Sequence, residues 1–241
     1  MDFGILTGGG DALKGEAYGL GCNTDVYNSY NEGNVLVNLD LDCRNKRGLA
    51  CGLDAGFDFA ETKNCYNLGS ITTSGGVSTY NDTYAYGLTT GCYGSWDFFN
   101  VYNTGDVTST EGYAYGTTGH LYYLSGEQGT IVNTGKVSGK KGAFGNNACG
   151  NLPDSYYLSG QVYVNGVQKE DDEYARTQEE MNTILKPVLE VVNTEVTFVD
   201  TYYDNTSNSF VEVETSTSNA FVEDTNNINN GLPILKWQVE H

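Results

Sequence analysis

The stretch Val101-Tyr102-Asn103-Thr104-Gly105-Asp106-Val107 contains a phrase that the chain repeats in nearly the same form. This corner phrase, Asn-x-Gly-x-Val or Ile, occurs four times. Its asparagines are Asn31, Asn67, Asn103 and Asn133, and its glycines are separated by 36, 36 and 30 residues. A second phrase, the triplet, is a small residue, then Tyr, Phe or Cys, then Gly. Its glycines are Gly19, Gly52, Gly87, Gly116 and Gly145, at separations of 33, 35, 29 and 29. Two phrases that recur in a fixed order indicate one structural unit stacked on copies of itself.

The residue types of the repeats indicate strands. The repeats are rich in Gly, Asn, Thr and Tyr and contain no amphipathic run of ten good helix formers. Short segments bounded by turn residues are typical of strands, as at 97–102, 105–109 and 129–133. A helical repeat of similar length is therefore disfavoured.

Each repeat is predicted to form one coil of a parallel β-solenoid. The triplet begins the first strand, the segment before Asn-x-Gly is the second, and the Val or Ile after it starts the third. Asn and Gly suit the corner because they tolerate the left-handed backbone region. The Val or Ile points inward and stacks on its equivalent in the next coil. About five coils at a spacing of ~4.8 Å give a rod of roughly 24 Å. The predicted fold class is thus mainly β, a parallel β-helix with a small C-terminal α/β cap.

Three regions follow from this interpretation. Residues 1–165 hold the repeats, residues 166–238 form a capping region with one helix and strands, and residues 239–241 are expected to be a tag remnant; a natural C-terminus is the alternative. Thr177 and Glu180 match a capping box that starts the helix, and Pro187 is expected to end or kink it. Residues 195–199 and 209–214 alternate as in a hairpin.

Charge and cysteine content limit the function. The net charge of -19 disfavours nucleic acid and anionic membranes as partners. No segment is apolar enough to insert in a bilayer. The six cysteines lack the Cys-x-x-Cys spacing of zinc sites and are predicted to be small buried thiols. Disulfides are the alternative, with Cys43 and Cys51 as the nearest pair.

Catalytic and metal-binding patterns are weak. His120 stands alone, and Asp54, Asp58 and Asp97 share no register, which disfavours a carbohydrate-active β-helix enzyme. We expect no catalytic residues, no cofactor and no metal. Calcium is a minor alternative at two acidic groups, whose oxygen ligands would come from Asp200, Asp204 and Asn205 or from Glu223, Asp224 and Asn226.

Tyrosines form the most informative functional pattern. Tyr84, Tyr86, Tyr113 and Tyr115 share a register across two repeats, and alternation places Tyr84 and Tyr86 on one side of a strand. If they point outward, they form a strip suited to contact with a glycan or a protein. If they point inward, which is the orientation we expect, they form a stacked core ladder.

The ordered motifs resemble the GLUG-type repeat of bacterial, Firmicutes-like surface proteins. Asn64-Cys65-Tyr66-Asn67-Leu68-Gly69-Ser70-Ile71 is similar to the corner phrase of that family, and segments of the tail up to Gln238 resemble its closing region. The usual Gly-Gly is Tyr-Gly or Phe-Gly here.

The resemblance implies a non-catalytic solenoid module of a secreted or wall-bound surface protein. Such a module would be an adhesin stalk or would bind a host glycan or protein, outside the cell and beside further domains of the same polypeptide. An accessory region of a large secreted protease or glycan-degrading enzyme is the alternative.

Overall fold

The computed structural model is mainly β with one short helix. The structure describes residues 3–8, 14–22, 26–27, 29–39, 47–55, 62–75, 82–90, 98–119, 131–146, 155–181, 183–184, 196–204, 206–217, 221–227 and 234–235. The chain divides into two compact units, Met1–Met181 and Asn182–His241.

Three sheets build the first unit. Sheet 1 contains, in spatial order, β1 (Phe3–Gly8), β6 (Val35–Leu39), β10 (Ile71–Gly75), β13 (Val107–Ser109), β16 (Val137–Gly139), β19 (Val162–Val164) and β20 (Val167–Gln168). Sheet 2 contains β2 (Lys14–Tyr18), β7 (Arg47–Cys51), β11 (Thr83–Tyr86), β14 (Tyr113–Tyr115) and β17 (Gly142–Phe144). Sheet 3 contains β4 (Val26–Tyr27), β5 (Tyr30–Asn31), β9 (Thr62–Asn67), β12 (Phe98–Asn103), β15 (Ile131–Asn133), β18 (Ser155–Leu158) and β21 (Ala175–Arg176). A short parallel pair joins β3 (Gly21–Cys22) and β8 (Asp54–Ala55).

The strand order follows the repeats. The chain visits sheets 1, 2 and 3 in turn and then returns to sheet 1 beside the strand that it left, as in β6, β7, β9 and then β10, β11, β12. All pairs within these sheets are parallel except β19 with β20. The strands predicted at 97–102, 105–109 and 129–133 correspond to β12, β13 and β15 and are confirmed.

One part of the predicted repeat is wrong. The triplet ends a strand of sheet 2 instead of beginning one, because its glycine lies directly after the last strand residue, as with Gly87 after Tyr86. The glycine N–H still continues the ladder: Gly87 donates to the Tyr115 carbonyl at 2.9 Å.

The core lies between the sheets. The Val or Ile after each corner is buried and pairs with its equivalent in the neighbouring repeat, as predicted, in the column Val35, Ile71, Val107 and Val137. Val162, which follows no corner phrase, extends this column. The alanines of the triplets, Ala17, Ala50, Ala85, Ala114 and Ala143, belong to the same apolar cluster. Small alanines face branched side chains, so the apolar cluster is continuous from repeat to repeat.

A short helix, α1, follows the repeats at residues 178–181 and 183–184. Its predicted capping box is confirmed, because the Thr177 N–H donates to Glu180 Oε2 at 2.8 Å and the Glu180 N–H donates to Thr177 Oγ1 at 3.3 Å. Met181 is fully buried. Pro187 lies outside the described residues. None of the described helical residues belongs to a helix long and apolar enough to cross a membrane.

The described residues of the second unit form two antiparallel pairs of strands. The predicted hairpin is present with longer strands, β22 (Val196–Asp204) and β23 (Ser209–Thr217). Strands β24 (Phe221–Val222) and β25 (Ile234–Leu235) form the second pair.

Candidate functional site

The predicted tyrosine register is present in sheet 2. Tyr84 pairs with Tyr113, and Tyr86 pairs with Tyr115, in the parallel ladder between β11 and β14. Phe144 extends the second column, because β14 pairs Tyr115 with Phe144 of β17. We call these five rings the aromatic strip.

The aromatic strip lies on the face of sheet 2 opposite the alanine core. Alternation along β11 sends Ala85 into the core and its two tyrosine neighbours to the other side. The rings therefore do not enter the alanine core, but Tyr86 and Tyr115 stack in a separate buried cluster with Leu49 and Cys51, so the expected stacked ladder is present there. Tyr86 and Tyr115 are nevertheless buried, at 3% and 4% exposure, whereas Tyr84 and Tyr113 are half-buried.

The rings stack on one another along the strip. Ring centroids lie 5.0 Å apart for Tyr86 and Tyr115, 5.0 Å for Tyr115 and Phe144, and 5.7 Å for Tyr84 and Tyr113. These distances lie in the range of favourable aromatic pairs. Because stacking covers the ring faces between neighbouring rungs, the accessible part of the strip consists mainly of the ring edges of the half-buried Tyr84 and Tyr113.

An ion pair flanks the exposed end of the strip. Lys141 pairs with Asp82, and this hydrogen bond is the main reason why the pKa of Lys141 is raised. The Tyr113 ring packs closely against Gly142, where a Cβ would lie only 2.8 Å from Tyr113 Cδ1. The surface at Tyr84 and Tyr113 thus combines aromatic edges with one cation and one carboxylate.

Sheet 3 carries a second aromatic column that sequence reasoning missed. The rings of Tyr30 and Tyr66 stack at 5.2 Å, and those of Tyr66 and Tyr102 stack at 4.9 Å. Tyr66 and Tyr102 are buried. The signal was the Tyr that directly precedes the corner asparagine in three of the four phrases. Burial makes this column a structural element.

The corner asparagines form a ladder of side-chain amides. Asn31 Nδ2 donates to Asn67 Oδ1 at 2.7 Å, Asn67 donates to Asn103 at 2.7 Å, and Asn103 donates to Asn133 at 2.8 Å. Each Nδ2 also donates to the carbonyl of the corner glycine two residues later, at 2.7–3.0 Å. All four asparagines are buried, so the ladder satisfies polar groups inside the repeats.

The predicted left-handed backbone is wrong for these corners. The described residues with positive φ include none of the four corner asparagines or their glycines. Glycine is needed because of close packing: a Cβ on Gly69 would lie 2.0 Å from the Gly33 carbonyl oxygen. Likewise, a Cβ on Gly52 of a triplet would lie 2.0 Å from the Gly87 oxygen and 2.7 Å from Asn67 Cγ.

The two phrases therefore meet in space. Each triplet glycine lies against the corner asparagine of its own repeat, in the pairs Gly19–Asn31, Gly52–Asn67, Gly87–Asn103 and Gly116–Asn133. In the last repeat Gly145 lies against Tyr157, which is in register with Asn133. The repeat residues are thus structural.

Two cysteines are described with their side chains. Cys51 and Cys65 are buried and neither belongs to a disulfide, so the Cys43–Cys51 disulfide is not formed. Burial raises the pKa of the Cys65 thiol to about 12. The side chain of Cys22 and all of Cys43, Cys92 and Cys149 lie outside the described residues.

Candidate acids and metal ligands are only partly described. His120, Asp58, Asp97 and Asn205 lie outside the described residues, as do the side chains of Asp54, Asp200 and Asp204. Asp224 is buried, while Glu223 and Asn226 are exposed. Within the described part of the chain, no three His, Cys, Asp or Glu side chains converge as metal ligands would.

Comparison with known proteins identifies no relative. No family model matches the chain, and no curated protein or solved structure is significantly similar to it. A functional assignment therefore depends on the geometry described above.

Proposed function

We propose that the repeats of residues 1–165 form a parallel β-solenoid, and that this solenoid is a non-catalytic binding module of a bacterial surface protein. The observation that carries the proposal is the rotation of the chain through three parallel sheets in matched register. The asparagine ladder and the apolar Val and Ile column run through successive repeats in support of it.

The repeat residues favour a rigid support over a reaction centre. The recurring asparagines, glycines and alanines are buried or half-buried and contact one another. Their hydrogen bonds and close packing therefore serve the fold. A stack of this kind holds side chains of successive repeats in register over a long surface. It is suited to presenting a row of equivalent contacts, outside the cell if the resemblance to GLUG-type repeats holds.

The aromatic strip is the surface that we assign to the partner, a host glycan or protein. Tyr84 and Tyr113 are half-buried and preordered by stacking, which lowers the entropy lost on binding. Tyrosine also combines apolar area with a hydrogen-bonding hydroxyl. Tyr86 and Tyr115 lie beside them, two positions along each strand, and are buried.

A glycan array and a host-protein screen test this role. Ligands that bind the protein are measured again with Tyr84→Ala/Tyr113→Ala, which we expect to weaken binding at least tenfold. Tyr156→Ala is the matched control, because Tyr156 is a half-buried tyrosine of sheet 3. Tyr84→Phe/Tyr113→Phe keeps the stack and removes only the hydroxyls.

Three results would contradict the proposal. Equal loss of binding in Tyr156→Ala and the strip variant would show that the strip is not the contact surface. Absence of binding to any glycan or host protein would remove the binding role and leave a spacer. A far-UV circular dichroism spectrum dominated by helix would contradict the solenoid itself.

A further inference from the structure

A groove of about 430 Å³ lies on the part of sheet 1 formed by β13, β16 and β19. Its volume falls within the roughly 300–1,000 Å³ of small-molecule sites. The groove is on a different sheet from the aromatic strip, and its side chains have no role in the function proposed above. Its lining includes Thr108, Lys136, Ser138, Lys140, Tyr163 and Asn165.

The groove exists because side-chain size changes along one column. Thr108, Ser138 and Tyr163 are in register on successive strands. The two small hydroxyl residues leave open space beside the large ring of Tyr163. Lys136 Nζ lies 4.5 Å from the centroid of that ring, within cation–π distance. The hydroxyls of Thr108 and Ser138 therefore line the base of the groove. The ring of Tyr163 and the ammonium group of Lys136 lie at one end of it.

A tight hairpin forms the wall at this end. Asn165 and Gly166 both have left-handed φ angles, of 49° and 78°, between the antiparallel strands β19 and β20. This is the geometry of an Asn-Gly hairpin turn, a sequence signal that could have located the wall. The Asn165 N–H donates to the Gly139 carbonyl at 2.9 Å, which fixes the turn against β16.

The groove is lined by lysines in an acidic chain, although two carboxylates border it: Glu111 pairs with Lys140, and Asp106 Oδ1 accepts from the Lys136 N–H at 3.0 Å. The full sequence has 31 acidic and 12 basic residues, yet among the described residues that line the groove two are lysines and none is an acid. Lys140 Nζ lies 2.5 Å from Glu111 Oε2, at the edge of the site. A bound carboxylate would compete with Glu111 for this ammonium group.

We propose that this groove binds an acidic saccharide, a sugar chain that carries carboxylate groups. Lys136 and Lys140 would pair with the carboxylates, and Thr108, Ser138 and Asn165 would exchange hydrogen bonds with sugar hydroxyls. The ring of Tyr163 supplies apolar contact for the sugar carbons. A carboxylated sugar would use all the groups of the open groove, which are hydroxyls, an amide, an aromatic ring and two cations. A simple anion would need only the cations, so the groove fits the sugar better.

Binding is measured by calorimetry and by amide chemical shifts with tetragalacturonate, a hyaluronan tetrasaccharide and sialyllactose. Methyl-esterified tetragalacturonate, neutral lactose and inorganic phosphate are the comparison ligands. We expect at least one acidic sugar to bind, its affinity to fall with salt, and its neutral form to bind at least tenfold more weakly. Lys136→Ala and Lys140→Ala should each weaken binding about tenfold, the loss expected for one charge-assisted hydrogen bond.

Two variants sharpen the test. Lys141→Ala removes the same charge at the adjacent residue, which pairs with Asp82 and does not line the groove, so the affinity should stay within about twofold. Glu111→Gln releases Lys140 and should tighten binding by roughly twofold to fivefold. Tyr84→Ala/Tyr113→Ala should leave acidic-sugar binding unchanged, so the groove and the aromatic strip are tested separately.

Three results would overturn the inference. One is the absence of binding by all three acidic sugars. Another is equal binding of the neutral forms or of phosphate. The third is an equal effect of Lys141→Ala and Lys140→Ala, which would show that only general charge matters.

Discussion

Replacement of Asn67 by alanine tests the asparagine ladder most directly. The side chain accepts a hydrogen bond from Asn31 and donates to Asn103 and to the Gly69 carbonyl, each at 2.7 Å. A buried hydrogen bond contributes about 1 kcal/mol net, so Asn67→Ala should lower the free energy of unfolding by about 3 kcal/mol. This is a large part of the roughly 5–15 kcal/mol that stabilises a domain.

The last rung supplies a matched control. Asn133 accepts from Asn103 and donates to the Gly135 carbonyl at 3.0 Å, and the next rung is Tyr157 in place of an amide. Asn133→Ala therefore removes two of these bonds and should cost about 2 kcal/mol. Urea denaturation followed by far-UV circular dichroism measures both values. Equal costs, or a cost below about 1 kcal/mol for Asn67→Ala, would refute the ladder as a source of stability.

Asn67→Asp adds a pH signature to this test. The introduced carboxylate could accept from Asn31 but would face the Asn103 and Gly69 oxygens, which are also acceptors. Burial and these oxygens raise the folded-state pKa of the new carboxyl above its unfolded value of about 3.9. The unfolded state then binds fewer protons, so stability falls as the pH rises from about 4 through the folded pKa. A cost that does not change between pH 4 and pH 7 would contradict this reasoning.

Three further predictions concern other contacts. Gly52→Ala should lower the melting temperature strongly, because its Cβ would lie 2.0 Å from a backbone oxygen. In the control variant Gly48→Ala, the nearest atoms to the new Cβ are side-chain carbons at 3.0 Å or more, so this change should be tolerated. Similar melting temperatures for the two variants would contradict the packing argument. Cys65, with a pKa raised to about 12, should resist iodoacetamide at pH 9 until the protein unfolds, and peptide mapping of the native protein that finds it alkylated would disprove its burial. Hydrogen bonds from the Thr177 N–H and hydroxyl lower the pKa of Glu180 in the folded protein. The stabilisation of α1 by Glu180 is therefore present above the unfolded-state pKa and is lost as the pH falls through the folded-state pKa. The chemical shift of the Thr177 amide should titrate below the usual Glu range, and Glu180→Gln should abolish that titration.

The repeat pattern was sufficient to predict strands, register and the inward Val and Ile column, because these depend on side-chain alternation and spacing. It was insufficient for the role of the corner residues. Asn and Gly are common in left-handed turns, and only the three-dimensional contacts distinguish that role from the ladder and close backbone packing found here.

The aromatic strip and the groove show a second limit. The sequence predicts that Tyr84 and Tyr113 lie side by side, but their face and exposure depend on what packs around the sheet. The groove required more, because it depends on a size difference between Ser138 and Tyr163, which are 25 positions apart in a register that only strand pairing reveals.

The end of the ladder follows from the same contacts that build it. The amide ladder could continue only if the residue after Asn133 in the column supplied another acceptor amide. That residue is Tyr157, and its ring packs against Gly145. In the earlier repeats an asparagine packs against the triplet glycine at the same position. Its hydroxyl accepts from the Asp172 N–H at 3.1 Å, and burial raises the pKa of Tyr157 to about 12. At the same level β20 turns back antiparallel on β19 in sheet 1. The presence of Tyr157 in place of an asparagine therefore replaces the amide hydrogen bond by the packing of an aromatic ring. This change occurs in the same repeat in which sheet 1 stops adding parallel strands.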